Sequence, residues 1–114
     1  MSKVNVPVLI DKIAGEGASK RALVQYVRNN KRQPIGVFVA LGKMSIGWSR
    51  LHRTYSSYFN TYYGDDWDKE KGIEIALRRA MKYSDYHEFQ KKLPDSMLIE
   101  GYAFIERVNR YYKD

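Results

Sequence analysis

The hydrophobic pattern of the chain changes character near residue 64. Before that point, short runs rich in β-branched residues alternate with turn residues; after it, apolar residues recur at three- and four-residue spacing. Residues 22–28 are β-branched and partly alternating, and Asn29, Asn30, Lys31 and Arg32 read as a turn. The run 35–41 is apolar on both faces, as expected of a strand that lies centrally or is covered on both sides. Gly42 to Ser45 suits a hairpin loop, and 46–51 returns as a third strand. Three antiparallel strands joined by short turns form a meander. Residues 4–13 are expected to add a fourth strand or irregular structure, and Pro7 confines any such strand to an edge.

Asp65, Asp66 and Asp68 give an acidic helix start, favourable to the helix dipole, and Ile73, Leu77, Ala80 and Met81 follow at helical spacing. The pattern predicts a helix over 66–83, with Glu74 and Arg78 as an i,i+4 pair. Gly72, Ala76 and Ala80 form a ridge of small residues, which predicts close packing, since glycine inside a helix costs about 1 kcal/mol relative to alanine. Ser84 or Asp85 caps a short helical turn using Tyr86, Phe89 and Leu93, and Pro94 suits the first turn of a last helix. There Leu98, Tyr102, Ile105, Val108 and Tyr112 form one stripe, and Met97, Gly101, Phe104, Val108 and Tyr111 a neighbouring one. A surface helix needs only one stripe, so the surplus points either to burial against a second protomer or to half-exposed tyrosines. The expected fold is α+β: a single domain over 1–114, with an antiparallel β-meander of three to four strands in the N-terminal half packed against two to three C-terminal helices.

Charge adds a location. The chain has 114 residues, with 20 Lys and Arg against 13 Asp and Glu, a net charge of +7. From Gly17 to Gly64 there is no carboxylate, whereas Lys20, Arg21, Arg28, Lys31, Arg32, Lys43, Arg50 and Arg53 all fall inside. Solvated surfaces normally mix signs. A surface for phosphates would exclude carboxylates; the alternative is a basic half whose charges serve only solubility. No cysteine is present, which removes disulfides, thiolate nucleophiles and Cys-ligated metals. The apolar runs are too short to span a membrane, and the start lacks the apolar stretch of a signal peptide, so a cytoplasmic protein is expected.

The candidate chemistry is that of binding. His52 and His87 are the only histidines, far apart, and no Gly-x-Ser-x-Gly elbow, phosphate-binding P-loop or His-Glu-x-x-His helix occurs. The acids from Asp65 to Glu74 lack the spacing of a calcium loop and are explained by the helix start. No enzyme, no metal site and no cofactor is expected. Residues 49–64 read as a long connecting loop holding Arg50, His52 and Arg53, then Tyr55, Tyr58, Phe59, Asn60, Tyr62 and Tyr63. Aromatic faces stack on bases, and Arg and hydroxyl groups hold phosphate and ribose; the same composition also suits a protein-binding surface, or two or three of the rings fill the core. Arg78 and Arg79, like Arg107 and Arg110, lie on helix faces and are either solvated or ligand-directed; the latter two, three apart, would suit a phosphate between protomers. The candidate ligand-binding residues are Arg28, Arg50, Arg53, Tyr55, Tyr58, Asn60, Tyr62, Arg107 and Arg110.

Three segments read together resemble a known pattern: Pro34-Ile-Gly-Val-Phe-Val-Ala40, Ile46-Gly-Trp-Ser49 and Asp68-Lys-Glu-Lys-Gly-Ile-Glu-Ile-Ala-Leu-Arg-Arg-Ala80. The order of apolar strand, Gly-aromatic-Ser strand and Asp-Lys-x-x-Gly helix is common in small phage proteins. Within that group it looks most like the phage Thoeris anti-defence sponges, over roughly residues 34–82. The resemblance implies a non-enzymatic protein that sequesters cyclic ADP-ribose isomers, and in some members cyclic oligonucleotides, in pockets between protomers of a homo-oligomer. No ligand residue of the family is carried onto this chain. A sponge turns nothing over, so it must bind tightly: a Kd of ~10 nM corresponds to about −11 kcal/mol, which an enclosed pocket supplies more readily than an open loop. Two other readings suit the residues: a small basic DNA- or RNA-binding protein, and a phage inhibitor of a host protein whose charge steers association.

Overall fold

The centre of the fold is a strand buried on both faces. The computed structural model describes residues 5–28, 32–50, 53–56, 61–64, 68–82, 93 and 97–112. Strands β1 (Leu23–Arg28), β2 (Pro34–Ala40) and β3 (Ile46–Arg50) form an antiparallel sheet in the order β1-β2-β3. Val37, Phe38, Val39 and Ala40 of β2 are all fully buried, because successive side chains enter opposite cores. The doubly apolar run at 35–41 thus occupies the position its composition predicts.

One core lies beneath α1 (Val6–Ala14) and α2 (Lys69–Lys82), where Ile10, Ala18, Ile73, Ala76 and Leu77 close over Val37 and Val39. The other lies beneath α3 (Leu98–Tyr111), where Met97, Phe104 and Val108 cover Leu23, Val27, Phe38, Ala40 and Ile46. Phe38 and Phe104 stack there with ring centroids 5.2 Å apart. The architecture is α+β, an N-terminal helix and a three-strand meander followed by two described C-terminal helices on opposite faces of the sheet. The expected short helical turn near Ser84, Asp85, Tyr86 and Phe89, and the helix start at Pro94, lie outside the described residues.

Two expectations are corrected. Residues 6–14 form a helix and not an edge strand: the Asn5 side chain accepts from the Val8 amide at 3.2 Å, and Pro7 sits in the first turn, where its missing N–H costs nothing. Gly15, at φ 109°, ends the helix. Asp11 then accepts from the Ser19 amide at 2.8 Å, fastening α1 to the short 3-10 helix Ala18–Lys20; that hydrogen bond is the main cause holding the Asp11 carboxyl below its usual range. The second correction concerns the segment read as a loop. Arg53–Ser56 (β4) and Thr61–Gly64 (β5) pair antiparallel as a separate two-stranded sheet.

The small-residue ridge does what its spacing predicts. Gly72, Ala76 and Ala80 are buried, and α2 lies so close to β3 that a Cβ on Gly47 would fall inside contact distance of the Ala76 carbonyl and the Ala80 amide. At the far end of the sheet, the Tyr112 hydroxyl meets the carbonyl oxygens of Arg21 and Ala40, the latter at 3.1 Å. Burial is the first cause that pushes its pKa up from 10 to about 12, making it a weaker acid, with the neighbouring Tyr111 second.

Two outcomes follow. Gly47→Ala forces helix backbone off strand backbone and should cost about 3 kcal/mol in a denaturant titration. Gly42→Ala, where a Cβ would meet nothing within 4 Å, should leave the midpoint nearly unchanged. Because the folded state holds Tyr112 neutral, its contribution is complete below pH 10 and is lost as pH rises towards about 12. Tyr112→Phe should therefore be less stable than the parent below pH 10 and should close that gap above it, read by stability measured as a function of pH.

Candidate functional site

The sheet register gathers cations at one end. Arg28 pairs with Pro34, Val27 with Gly36, and Gly36 with Arg50, so Arg28 and Arg50 flank the beginning of β2 from opposite sides. Two strand spacings separate them, about 10 Å. Both are exposed, and they belong to opposite faces. Arg50 alternates with Ile46 and Trp48, which belong to the α3 side, whereas the Arg28 guanidinium lies 5.8 Å from the ring of Tyr26, on the α1–α2 side.

Tyr26 is the residue that the sequence did not single out. Its half-buried ring packs on the core beneath α1 and α2. Lys69, the first residue of α2, brings its ammonium to 5.6 Å from the same ring. Arg28 and Lys69 are therefore no more than about 11 Å apart, on either side of one ring or along it. Neither is ion-paired with a carboxylate among the described residues. The nearby Asp68 is occupied at the helix start, where it accepts from the Lys71 amide at 3.1 Å, and Arg28 itself donates to the Arg32 carbonyl at 3.0 Å. Arg32 takes φ 62°, in the left-handed region. The result is an exposed aromatic–cation cluster of Tyr26, Arg28 and Lys69. Forty-three positions separate Tyr26 from Lys69, and only the placement of α2 over the sheet brings them together.

The other predicted residues divide. Arg53 begins β4 and pairs with Gly64, and Tyr55 stands opposite Tyr62 in the β4–β5 register. Tyr58 and Asn60 lie outside the described residues. Arg107 and Arg110 are exposed on α3, but Arg107 donates to the Gln25 side chain at 2.7 Å and lies over the middle of β1 on the α3 side. They are not part of the Tyr26 cluster.

No family model, curated protein or solved structure matches the chain. The site therefore stands on its own geometry. Among the described residues no three His, Asp or Glu side chains are grouped to hold a metal, and no helix is long and apolar enough to cross a membrane.

Arg78 and Arg79 show that a basic pair can be read wholly as structure. Arg78 pairs with Glu74 at 3.1 Å on the exposed face of α2. Arg79 reaches round the edge of β3, donates to the Trp48 carbonyl at 2.9 Å and lies 4.0 Å above the Trp48 ring. A cation at that distance is held by the ring quadrupole as well as by the hydrogen bond. Arg79→Ala should thus lower stability by about 1–2 kcal/mol, whereas Arg28→Ala should leave it within about 0.5 kcal/mol. Parallel denaturant titrations of the two variants measure the contrast, and an equal loss would assign Arg28 to the scaffold.

Proposed function

We propose that the chain is a non-enzymatic phage anti-defence protein that binds and sequesters a phosphate-bearing cyclic nucleotide, such as a cyclic ADP-ribose isomer or a cyclic oligonucleotide, in the cytoplasm of the infected bacterium. The observation that supports this most is the Tyr26–Arg28–Lys69 cluster: two cations sharing one ring, without a carboxylate partner among the described residues, at the end of the sheet where Arg50 also emerges. Bringing like charges together is unfavourable until an anion enters between them. A phosphate there exchanges repulsion for charge-assisted contacts. The half-buried Tyr26 ring offers a stacking surface for a base.

The cluster is open to solvent on this single chain. Tight binding of a small ligand calls for enclosure, and a second protomer closing over the cationic end would provide it. A macromolecular ligand would need no such enclosure, and the two cases differ in their response to salt. Extended nucleic acid releases many counterions, whereas a ligand with one to three phosphates releases few.

Calorimetric titration with cyclic ADP-ribose, a cyclic dinucleotide and a single-stranded oligonucleotide, each at low and high salt, tests the proposal. A cyclic nucleotide should bind with shallow salt dependence. Arg28→Glu should weaken it by about tenfold or more, the loss of one charge-assisted contact. Arg50→Ala and Tyr58→Ala should also weaken it without moving the thermal midpoint. Steeply salt-dependent binding of the oligonucleotide alone would transfer the site to the nucleic-acid reading. A protein indifferent to all three ligands would overturn both.

A further inference from the structure

The two edges of the three-stranded sheet end differently. Across the β2–β3 hairpin the Leu41 amide donates to the Ser45 carbonyl at 2.9 Å. Leu41, Val39 and Val37 therefore turn their backbone groups towards β3, and Ala40, Phe38 and Gly36 turn theirs towards β1. On β3 this alternation directs the backbone of Trp48 outwards, where the Arg79 guanidinium donates to its carbonyl and occupies that edge. On β1 it engages Leu23, Gln25 and Val27 with β2 and directs the amides and carbonyls of Val24 and Tyr26 outwards. Among the described residues nothing bonds to these outward groups. Free edges are ordinarily blunted by proline, by lysine or by a very short strand. Leu23–Val27 contains no proline and no charge, and Val24, Gln25 and Tyr26 are only half-buried.

We propose that the outer edge of β1 accepts an acidic, extended segment of a partner protein as an added strand. The outward carbonyls need donors and the outward amides need acceptors. A peptide backbone offers both in alternation, whereas a phosphate backbone offers acceptors alone. Charge selects the kind of peptide. On the α1–α2 side, Arg28 and Lys69 lie near the Tyr26 ring, and Arg28 uses one donor on the neutral Arg32 carbonyl. On the α3 side, Arg107 lies against Gln25, a neutral partner that takes one donor of the guanidinium and leaves its charge uncompensated. Glu70 and Glu106 adjoin Lys69 and Arg107 in sequence, but among the described residues neither pairs with these cations. Carboxylates on either face of the incoming strand therefore meet a cation, and its apolar side chains extend the surface of Val24 and Tyr26. A second β1 in the same place would set cation against cation on both faces.

The inference does not rest on nucleotide binding, because it is read at the backbone of the edge and not at the cations. The probe is a peptide of six residues, the length of β1, alternating Val and Glu and added to the full chain. Amide exchange followed by NMR should show Leu23, Gln25 and Val27 protected with or without peptide. Val24 and Tyr26 should exchange freely in the protein alone and at least about tenfold more slowly once the peptide is bound. Lys in place of Glu in the peptide should weaken binding by about tenfold or more. N-methylation of the peptide amides, which removes its donors and keeps every charge, should do the same. Val24→Pro removes one outward amide from the protein and should also weaken binding; the N-methylated peptide decides the matter should that variant fail to fold. The proposal is overturned by an acidic peptide that does not bind at ~1 mM, that binds equally well when N-methylated, or that leaves exchange at Val24 and Tyr26 unchanged. A single-stranded oligonucleotide that protects the same two amides would overturn it as well.

Discussion

The seating of α2 on β3 at Gly47 is the contact on which the rest of the structure depends. Helix backbone meets strand backbone there, since Gly47 has no side chain and Ala76 and Ala80 have almost none. That approach lets Ile73 and Leu77 reach Val37 and Val39 and seals one face of the central strand. It also fixes both ends of the helix. The C-terminal end carries Arg79 round the sheet edge to Trp48, and the N-terminal end carries Lys69 to Tyr26. The same packing thus makes one cation structural and leaves another available at the surface.

Burial of β2 on both sides imposes the second constraint. Once α1 and α2 cover one face, the other face needs its own helix, and α3 supplies Met97, Phe104 and Val108 in register with Phe38 and Ala40. A helix committed along that line presents its opposite row to solvent. Ile99 is exposed because the sheet has already taken the face next to Gly101.

The sequence shows the three strands almost to the residue, and the reason is local. β-branched runs bounded by Gly and Asn leave few alternatives, and the observed Leu23–Arg28, Pro34–Ala40 and Ile46–Arg50 differ from the expected runs by one residue at most ends. Helix α2, expected over 66–83, is Lys69–Lys82 for the same kind of reason. The first helix is different. Val6, Val8 and Ile10 alternate as a strand would, and the decisive signal is the pair Asn5 and Pro7, a cap followed by a first-turn proline. The hairpin was hidden by the lack of an Asn-Gly or Asp-Gly turn between Ser56 and Thr61. Among the site residues, Arg28 and Arg50 were legible as cations at strand ends. Tyr26 and Lys69 were not, since their proximity is created by tertiary packing across 43 positions, which no local spacing encodes.

The carboxylate-free stretch gains its physical meaning from where the acids went. Asp11 holds the Ser19 amide, Asp68 holds the Lys71 amide, and Glu74 holds Arg78; each serves its own helix or the turn beside it. None of these three pairs with a cation of the sheet. An acid on a strand position beside Arg28 or Arg50 would neutralise that end of the sheet from within. With these three acids engaged locally, Arg28, Lys69 and Arg50 stand at that end of the sheet without a carboxylate partner among the described residues.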